Sequence, residues 1–336
     1  MKPLVSIIIP VYNAGKYLKQ TIISAIDQLW PNTEILIVDD GSTDNSVEIA
    51  EQFIGPNIFV FTQENKGASA ARNLGFSKSA GKYIQFLDAD DILSRDKIAQ
   101  QAEALEQNPD AVAVCSTVHF KDGSDHKLYN PSANDDAFIY TTTNVIGFII
   151  NLWGGNDLKG SMVQPNAWLT PRNIIERAGL WNEELTLNDD GEFFARMVLN
   201  AKGIVKTDGI NYYRKFPSSK QNLSSQKTQE HLRSALKAIQ LKRKYLFSHT
   251  ESEPAKKAIY RMFTELSVMC YQTEPTVYVQ VRRELSSLPN YGYKVVLGGR
   301  LINAIAGIFG WHFAKRLQKW HAKISKQLSA KTIHAT

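Results

Sequence analysis

Through the first 120 residues, short apolar runs alternate with amphipathic stretches at a spacing that leaves little room for anything but a βα repeat. Strands are predicted over 5–11, 34–38, 58–62, 83–87 and 111–120, and helices over 16–28, 44–53, 68–78 and 96–106. Strands joined through helices in this way form a mostly parallel sheet with right-handed crossovers. Their Ile- and Val-rich runs lack polar alternation, which suits a sheet covered on both faces. In such a sheet, ligands bind at the carboxyl ends of the strands.

At the end of the fourth run stands Leu87-Asp88-Ala89-Asp90-Asp91-Ile92. Three carboxylates this close are costly together unless a cation neutralises them, and a divalent metal bridging to a phosphate would do so. Taken alone, the same residues also suit a solvated turn leading into the next helix.

Charge and cysteine content narrow the function classes. The net charge is +6, but the segment from Leu285 to Thr336 carries eight Lys or Arg and no Asp or Glu, which leaves 31 bases against 33 acids in the rest. The basicity belongs to the tail, and no nucleic-acid partner is expected. Two cysteines, Cys115 and Cys270, fit neither a disulfide framework nor a Cys-based zinc site. Residues 1–13 lack the pattern of a secretory signal, and no run reaches about 18 apolar residues. A cytoplasmic protein is expected.

Neither Gly-x-Gly-x-x-Gly nor a P-loop follows the first strand. The first turn, Pro10-Val11-Tyr12-Asn13, offers instead an apolar wall and a phenol able to flank a base. The second, Asp39-Asp40-Gly41-Ser42-Thr43-Asp44, offers carboxylates that can accept an imide N–H or a ribose hydroxyl. Ser42 and Asp44 are read as capping the next helix, whereas Asp39 and Asp40 stand too early for that.

Four ordered blocks carry a specific resemblance: Ser6-Ile7-Ile8-Ile9-Pro10-Val11-Tyr12-Asn13, Val38-Asp39-Asp40-Gly41-Ser42-Thr43-Asp44, Asn65-Lys66-Gly67-Ala68-Ser69-Ala70-Ala71-Arg72-Asn73 and Phe86-Leu87-Asp88-Ala89-Asp90-Asp91. Together they resemble the family 2 glycosyltransferases, inverting enzymes of GT-A fold. The resemblance implies a nucleotide-diphosphosugar donor, a UDP-sugar foremost, lying across the strand ends. Asp40 would meet the base, Arg72 would lie in the nucleotide pocket, and Asp90 would hold the metal. Asp88, beside Ala89, and Asp91 would support the ribose or the metal. By residue chemistry alone, Asp40 and Arg72 equally suit an ion pair joining two loops.

Carboxylates suit Mn2+ or Mg2+, hard ions that keep positions open for phosphate and water, and the absence of His and Cys from the cluster argues against zinc. In the second half, a strand over 164–169 and a helix over 171–178 precede Trp181 and the segment Asn188-Asp189-Asp190-Gly191-Glu192-Phe193-Phe194-Ala195-Arg196. This segment resembles the family's Glu-Asp-x-Asp block, with Asp189 for the usual Glu and Glu192 for the usual Asp, and places Asp190 as the general base. Acids at a helix start also occur routinely to complement the macrodipole. Asn211-Tyr212-Tyr213-Arg214-Lys215-Phe216 and Ser218-Ser219 resemble the closing Tyr-x-Arg segment and the loop after it, with Arg214 or Lys215 reaching the diphosphate; by residue type alone they equally suit an ordinary basic surface turn. Trp153 and Trp181 are candidate acceptor platforms, or core.

Beyond residue 225 the repeat gives way to helices over 229–247, 253–271 and 276–288. The end carries Leu301, Ile305, Phe309, Phe313, Leu317, Trp320, Ile324 and Leu328 at steps of three or four, with Lys315, Arg316, Lys319, Lys323 and Lys326 on other faces. Residues 296–328 therefore read as a basic amphipathic segment, either at a membrane interface or packed on the catalytic domain. The expected organisation is a GT-A catalytic domain over 1–224, with a donor half (1–120) and an acceptor half (121–224), then a helical region over 225–336. The expected activity is metal-dependent transfer to a glycan or lipid-linked glycan, with peripheral contact at the inner face of the cell membrane as one reading of the tail. A sugar nucleotidyltransferase would carry a glycine-rich basic first loop, and a non-catalytic binding module would not need Asp190.

Overall fold

The computed structural model describes residues 1–156, 159–216 and 228–321. The donor half runs β1 (Val5–Val11), α1 (Gly15–Ile26), β2 (Thr33–Asp39), α2 (Ser46–Glu51), β3 (Ile58–Thr62), α3 (Ala68–Lys78), β4 (Tyr83–Phe86), β5 (Ile92–Leu93), α4 (Lys97–Gln107) and β6 (Ala111–Lys121). There follow α5 (Ala133–Asp136), α6 (Val145–Leu152), β7 (Trp168–Pro171), α7 (Arg172–Ala178), α8 (Asp189–Leu199) and β8 (Gly203–Lys215). Helices α9 (Gln229–Phe247), α10 (Glu253–Cys270), α11 (Pro275–Ser286) and α12 (Arg300–Phe309) follow.

The strands form one sheet in the order β3-β2-β1-β4-β7-β6-β8-β5. Strands β3, β2, β1 and β4 are mutually parallel; β7 lies antiparallel between β4 and β6, β8 is parallel to β6, and β5 is antiparallel to β8. Six of the eight described strands therefore point one way, as the βα repeat requires. One feature departs from the sequence reading: residues 165–167 form a 3-10 turn instead of a strand, so β7 begins only at Trp168. In space, β7 lies between β4 and β6.

Alternation along the buried strands divides the core into two layers. Ile7, Ile9, Ile35 and Ile37 pack with Leu18 and Ile22 of α1 and with Ile98 and Leu105 of α4. Ile8, Leu36, Ile84 and Phe86 face the other way, onto Phe76 of α3, Phe193 of α8 and Leu232, Leu236 and Ile239 of α9. Residues of α10 and α11, among them Phe263 and Val281, belong to this second layer. The C-terminal helices thus share a core with the sheet. Gly75 lets α3 approach β1, since a Cβ there would stand 2.4 Å from Ile8 Cγ2.

After α12, residues 311–321 are again helical. Tyr278 Oη pairs with His312 Nε2 at 2.9 Å, Arg316 Nε donates to Tyr271 Oη at 2.9 Å, and Ala314 is fully buried. One face therefore packs on the α10–α11 corner, while Leu301, Ile308, Phe309, Phe313 and Trp320 are exposed. The expected positions Lys323, Ile324, Lys326 and Leu328 lie outside the described residues, as do Ser218 and Ser219. No helix among the described residues is long and apolar enough to cross a membrane.

Candidate active site

Parallel pairing of β1 with β2 and β4 brings three turns to one sheet edge. Pro10 and Val11 are buried members of β1, and Tyr12, just past its end, is 53% exposed. Beside it, Asp39 Oδ2 accepts from the backbone N–H groups of Gly41 and Ser42 at 3.1 Å, while its buried Oδ1 has no hydrogen-bond partner. Asp40 is fully occupied within the protein: Gln63 Nε2 and the N–H groups of Lys66 and Gly67 donate to its two oxygens at 2.7–2.9 Å. Asp40 thereby shapes the loop before α3. The N-cap of α2 is Asn45, without a side-chain capping bond, so neither residue expected to cap does so: Asp44 accepts from Ser46 N and Gly15 N, each at 3.0 Å, and Ser42 Oγ accepts from Asn13 N at 2.9 Å.

The acid turn after β4 is fixed from several sides. Thr21 Oγ1 donates to the carbonyls of Ala89 and Asp91 at 2.9 and 2.8 Å. Asn166 accepts from Asp88 N at 2.8 Å and donates from Nδ2 to Asp91. Asp91 also accepts from Arg214 N at 2.8 Å, and it is buried. Burial with Asp90 and Asp88 alongside pushes its carboxyl well above the usual range. Asp90, more open to solvent, is pushed up to about 6 by burial and by Asp88.

Arg72, on α3, joins this turn to the start of α8. Its Nη2 donates to Asp88 Oδ1 at 2.9 Å and its Nη1 to Asp189 Oδ2 at 3.1 Å. The guanidinium rests 4.3 Å from the centre of the Trp181 ring, which stacks on Phe193 at 4.1 Å. Trp181 is 3% exposed and is therefore the floor under Arg72, not an acceptor platform. Trp153 is likewise buried.

Asp189 is held by Arg72 and by Ser69 Oγ, which donates at 3.2 Å. Glu192 is buried and accepts from Arg196 Nε and Tyr245 Oη, each at 2.8 Å. Asp190 accepts only the N–H of its neighbour Gly191 among the described residues, at 2.6 Å, and keeps part of its surface open. Burial and the adjacent Asp189 raise its carboxyl to about 6, against the opposing charges of Lys242 and Arg72. Because Arg72 bonds both Asp88 and Asp189, the acid turn after β4 and the start of α8 lie side by side. Burial, then Asp91, Asp88, Asp90 and Asp190, raise the pKa of Tyr213 nearby.

Arg214 corrects another expectation. It is buried between the rings of Tyr17 and Phe120, each 4.7 Å away, and donates to Asp90 O at 2.8 Å, Gln20 at 2.7 Å and Asp122 at 3.4 Å. It clamps the acid turn, whereas Lys215 is exposed with Nζ 4.4 Å from the Tyr213 ring centre. Sequence reasoning passed over Asn166, whose isolated amide carries no pattern, and Lys242, a helical lysine with no motif around it.

Residues 6–176 match the profile of glycosyl transferase family 2. The chain belongs to that family. It is 39% identical over 223 residues to glycosyltransferase GlyG of Streptococcus pneumoniae, covering 64% of this chain and 72% of that protein. It is 35% identical over 173 residues to the putative teichuronic acid biosynthesis glycosyltransferase TuaG of Bacillus subtilis, covering 49% and 67%. A third match, at 48% identity over 109 residues, reaches an uncharacterized glycosyltransferase of Haemophilus influenzae and spans 44% of that protein's length and 32% of this chain. The crystal structure of S. aureus TarS 1–349 with UDP-GlcNAc superposes with a TM-score of 0.62 at 18% identity, over 85% of this chain and 81% of that one. That likeness establishes the GT-A fold of this family 2 chain.

Proposed function

We propose that this family 2 protein transfers a sugar, with inversion, from a UDP-sugar to a hydroxyl of a glycan or lipid-linked glycan in the assembly of a surface polysaccharide. The carrying observation is that Arg72 grips one carboxylate from each half, Asp88 and Asp189, while Asp190 beside them is left to act. Asp39 Oδ1 accepts from the base, Tyr12 flanks it, and Lys215 meets the diphosphate. The UDP-GlcNAc of the TarS complex and the teichuronic acid role in TuaG's name support the donor and product classes.

Asp90, with Asp88, fits a hard divalent ion. Burial and Asp88 raise the Asp90 carboxyl to about 6, and a cation placed there would offset both. Among the described residues no three His, Cys, Asp or Glu side chains form a metal-binding group, so Mn2+ or Mg2+ would be held here by one or two carboxylates and completed by substrate phosphate. Bound there, the ion would offset charge on the departing diphosphate. Asp190 takes the proton of the acceptor hydroxyl as its oxygen bonds to the anomeric carbon and the bond to the diphosphate breaks. A carboxyl near 6 is a better base than an ordinary aspartate. A module that only bound nucleotide-sugars would need no such group.

The C-terminal face belongs to this reading. Leu301, Ile308, Phe309, Phe313 and Trp320 are exposed beside Arg300, Arg316 and Lys319, a pattern that fits the interface of an anionic bilayer better than a second, equally basic copy. Cosedimentation with phosphatidylglycerol vesicles, lost with phosphatidylcholine and in Phe309→Ser/Trp320→Ser, is expected; equal sedimentation with both lipids would contradict it. For the donor, UDP-, GDP- and dTDP-sugars are screened for thermal stabilisation with Mn2+. A UDP-sugar should raise Tm most, and in Asp90→Ala the Mn2+-dependent part should vanish; stabilisation indifferent to base and metal would overturn the assignment.

A further inference from the structure

Beyond the matched segment, α9 sends one buried cation toward Asp190. Lys242 is 4% exposed, and its Nζ donates to Asn188 Oδ1 at 2.8 Å. Asn188 holds a left-handed backbone, with φ of 63°, directly before Asp189 and Asp190. Gly191 completes the contact, because a Cβ there would stand 2.4 Å from Lys242 Nζ and 2.5 Å from Asn188 Oδ1. The absence of a side chain at Gly191 is what lets the ammonium reach the first turn of α8.

We propose that Lys242 is a positioning residue for the transfer reaction: it fixes Asn188 and thereby the carboxylate of Asp190, and its charge keeps that carboxylate available as a base. The C-terminal helices then complete the active site as well as extending the core. This rests on Asp190 being the base.

The surroundings are consistent with that role. Around Asp190 stand Asp189, which raises its pKa, and Lys242 and Arg72, which lower it, with the Tyr213 phenol nearby. Around Lys242 stand Asp190, Glu192 and Asp189, each favouring its charged form against a burial that draws it down to about 8. Arg72 is committed to Asp88 and Asp189, and Glu192 to Arg196 and Tyr245. Lys242 is the cation whose hydrogen bond goes to the residue that sets up the turn itself. Removing its charge leaves Asp189 less opposed, so the Asp190 carboxyl titrates higher.

The test is the pH profile of kcat for UDP release in Lys242→Gln, a variant that can still hydrogen-bond Asn188 but carries no charge. The acid limb should move up by about half to one pH unit, with donor KM within about twofold of wild type and partial recovery at high pH. An unmoved limb, or a loss uniform over pH, overturns the proposal. Should Lys242→Gln fail to fold, Gly191→Ala serves: alanine favours the helix, and its methyl displaces the ammonium, so the same limb shift is expected and its absence is equally decisive. Asp190→Asn run alongside separates the two claims. If it turns over normally, the base assignment falls; if it is silent while the Lys242→Gln and Gly191→Ala limbs stay put, only the role of Lys242 falls.

Discussion

Arg72 Nη1 stands 3.1 Å from Asp189 Oδ2, an ion pair that closes a gap of 117 residues and fixes the beginning of α8 against α3. Through its other arm the same guanidinium holds Asp88, so loss of the side chain leaves two carboxylates without their cation. Arg72→Met is expected to destabilise the fold by roughly 2–3 kcal/mol, below the cost of breaking a fully buried pair because both acids keep some water. It should also weaken Mn2+-dependent donor binding. Urea unfolding and a donor titration check the two effects, and a midpoint equal to wild type would contradict the bridging role.

Asp190 ties activity to stability. Its folded carboxyl, near 6, lies above the value of an unfolded aspartate, so stability from this group is present below about pH 4 and is lost as pH rises through 6. Above pH 7 the protein holds an ionised Asp190 at a cost that Asp190→Asn removes. The variant is expected to melt higher than wild type at pH 7.5, with the difference shrinking toward pH 5. Comparing the two proteins at each pH cancels the opposing contributions of His119, His126 and His312, whose pKa values are lowered in the fold. A difference that does not change with pH would contradict the raised carboxyl.

Close packing of α3 on β1 makes a second stability prediction. Gly75→Ala would bring a methyl carbon within 2.4 Å of Ile8 Cγ2 and 3.3 Å of Val38 Cγ2. Alanine is the better helix former, yet the overpacked interface should cost about 1–3 kcal/mol. Thermal denaturation decides it: an unchanged or raised Tm would show that the sheet yields.

Asn166 carries a prediction about the acid turn. Its amide supports both Asp88 N and Asp91 Oδ2 in a fully buried position, so Asn166→Ala leaves that N–H and that one oxygen unpaired at a cost of about 1–3 kcal/mol. Mn2+-dependent donor binding should weaken in parallel, as calorimetry with and without Mn2+ would show; donor affinity unaltered under both conditions would place Asn166 outside the site's support.

The sheet edge was legible because each strand that carries function ends in a break between apolar and acidic residues, as at Val38-Asp39-Asp40 and Phe86-Leu87-Asp88. What stayed hidden depends on partners far along the chain. Asp39 and Asp40 are adjacent and alike in sequence, and only the N–H groups of Lys66 and Gly67 settle which one is occupied. Trp181 and Arg214 carry residue types suited to binding sugar or phosphate, but Phe193, Tyr17 and Phe120 draw them into the interior. Strand β8 shows mixed burial over its 13 residues, which gave no clean period to read. Lys242 sits in a helix whose apolar face is ordinary, and its role appears only where α9 meets α8.

The central claim is that Asp90 and Asp190 serve different steps of one reaction in one cleft. Its most direct measurement is a paired titration and turnover assay with UDP-sugar and Mn2+ on Asp190→Asn and Asp90→Ala. Asp190→Asn should bind donor like wild type while kcat falls by about 10²–10⁴-fold, the usual contribution of a positioned base; Asp90→Ala should lose the Mn2+-dependent part of donor affinity. Near-wild-type turnover in Asp190→Asn, or donor binding in Asp90→Ala that responds to Mn2+ as before, would contradict it.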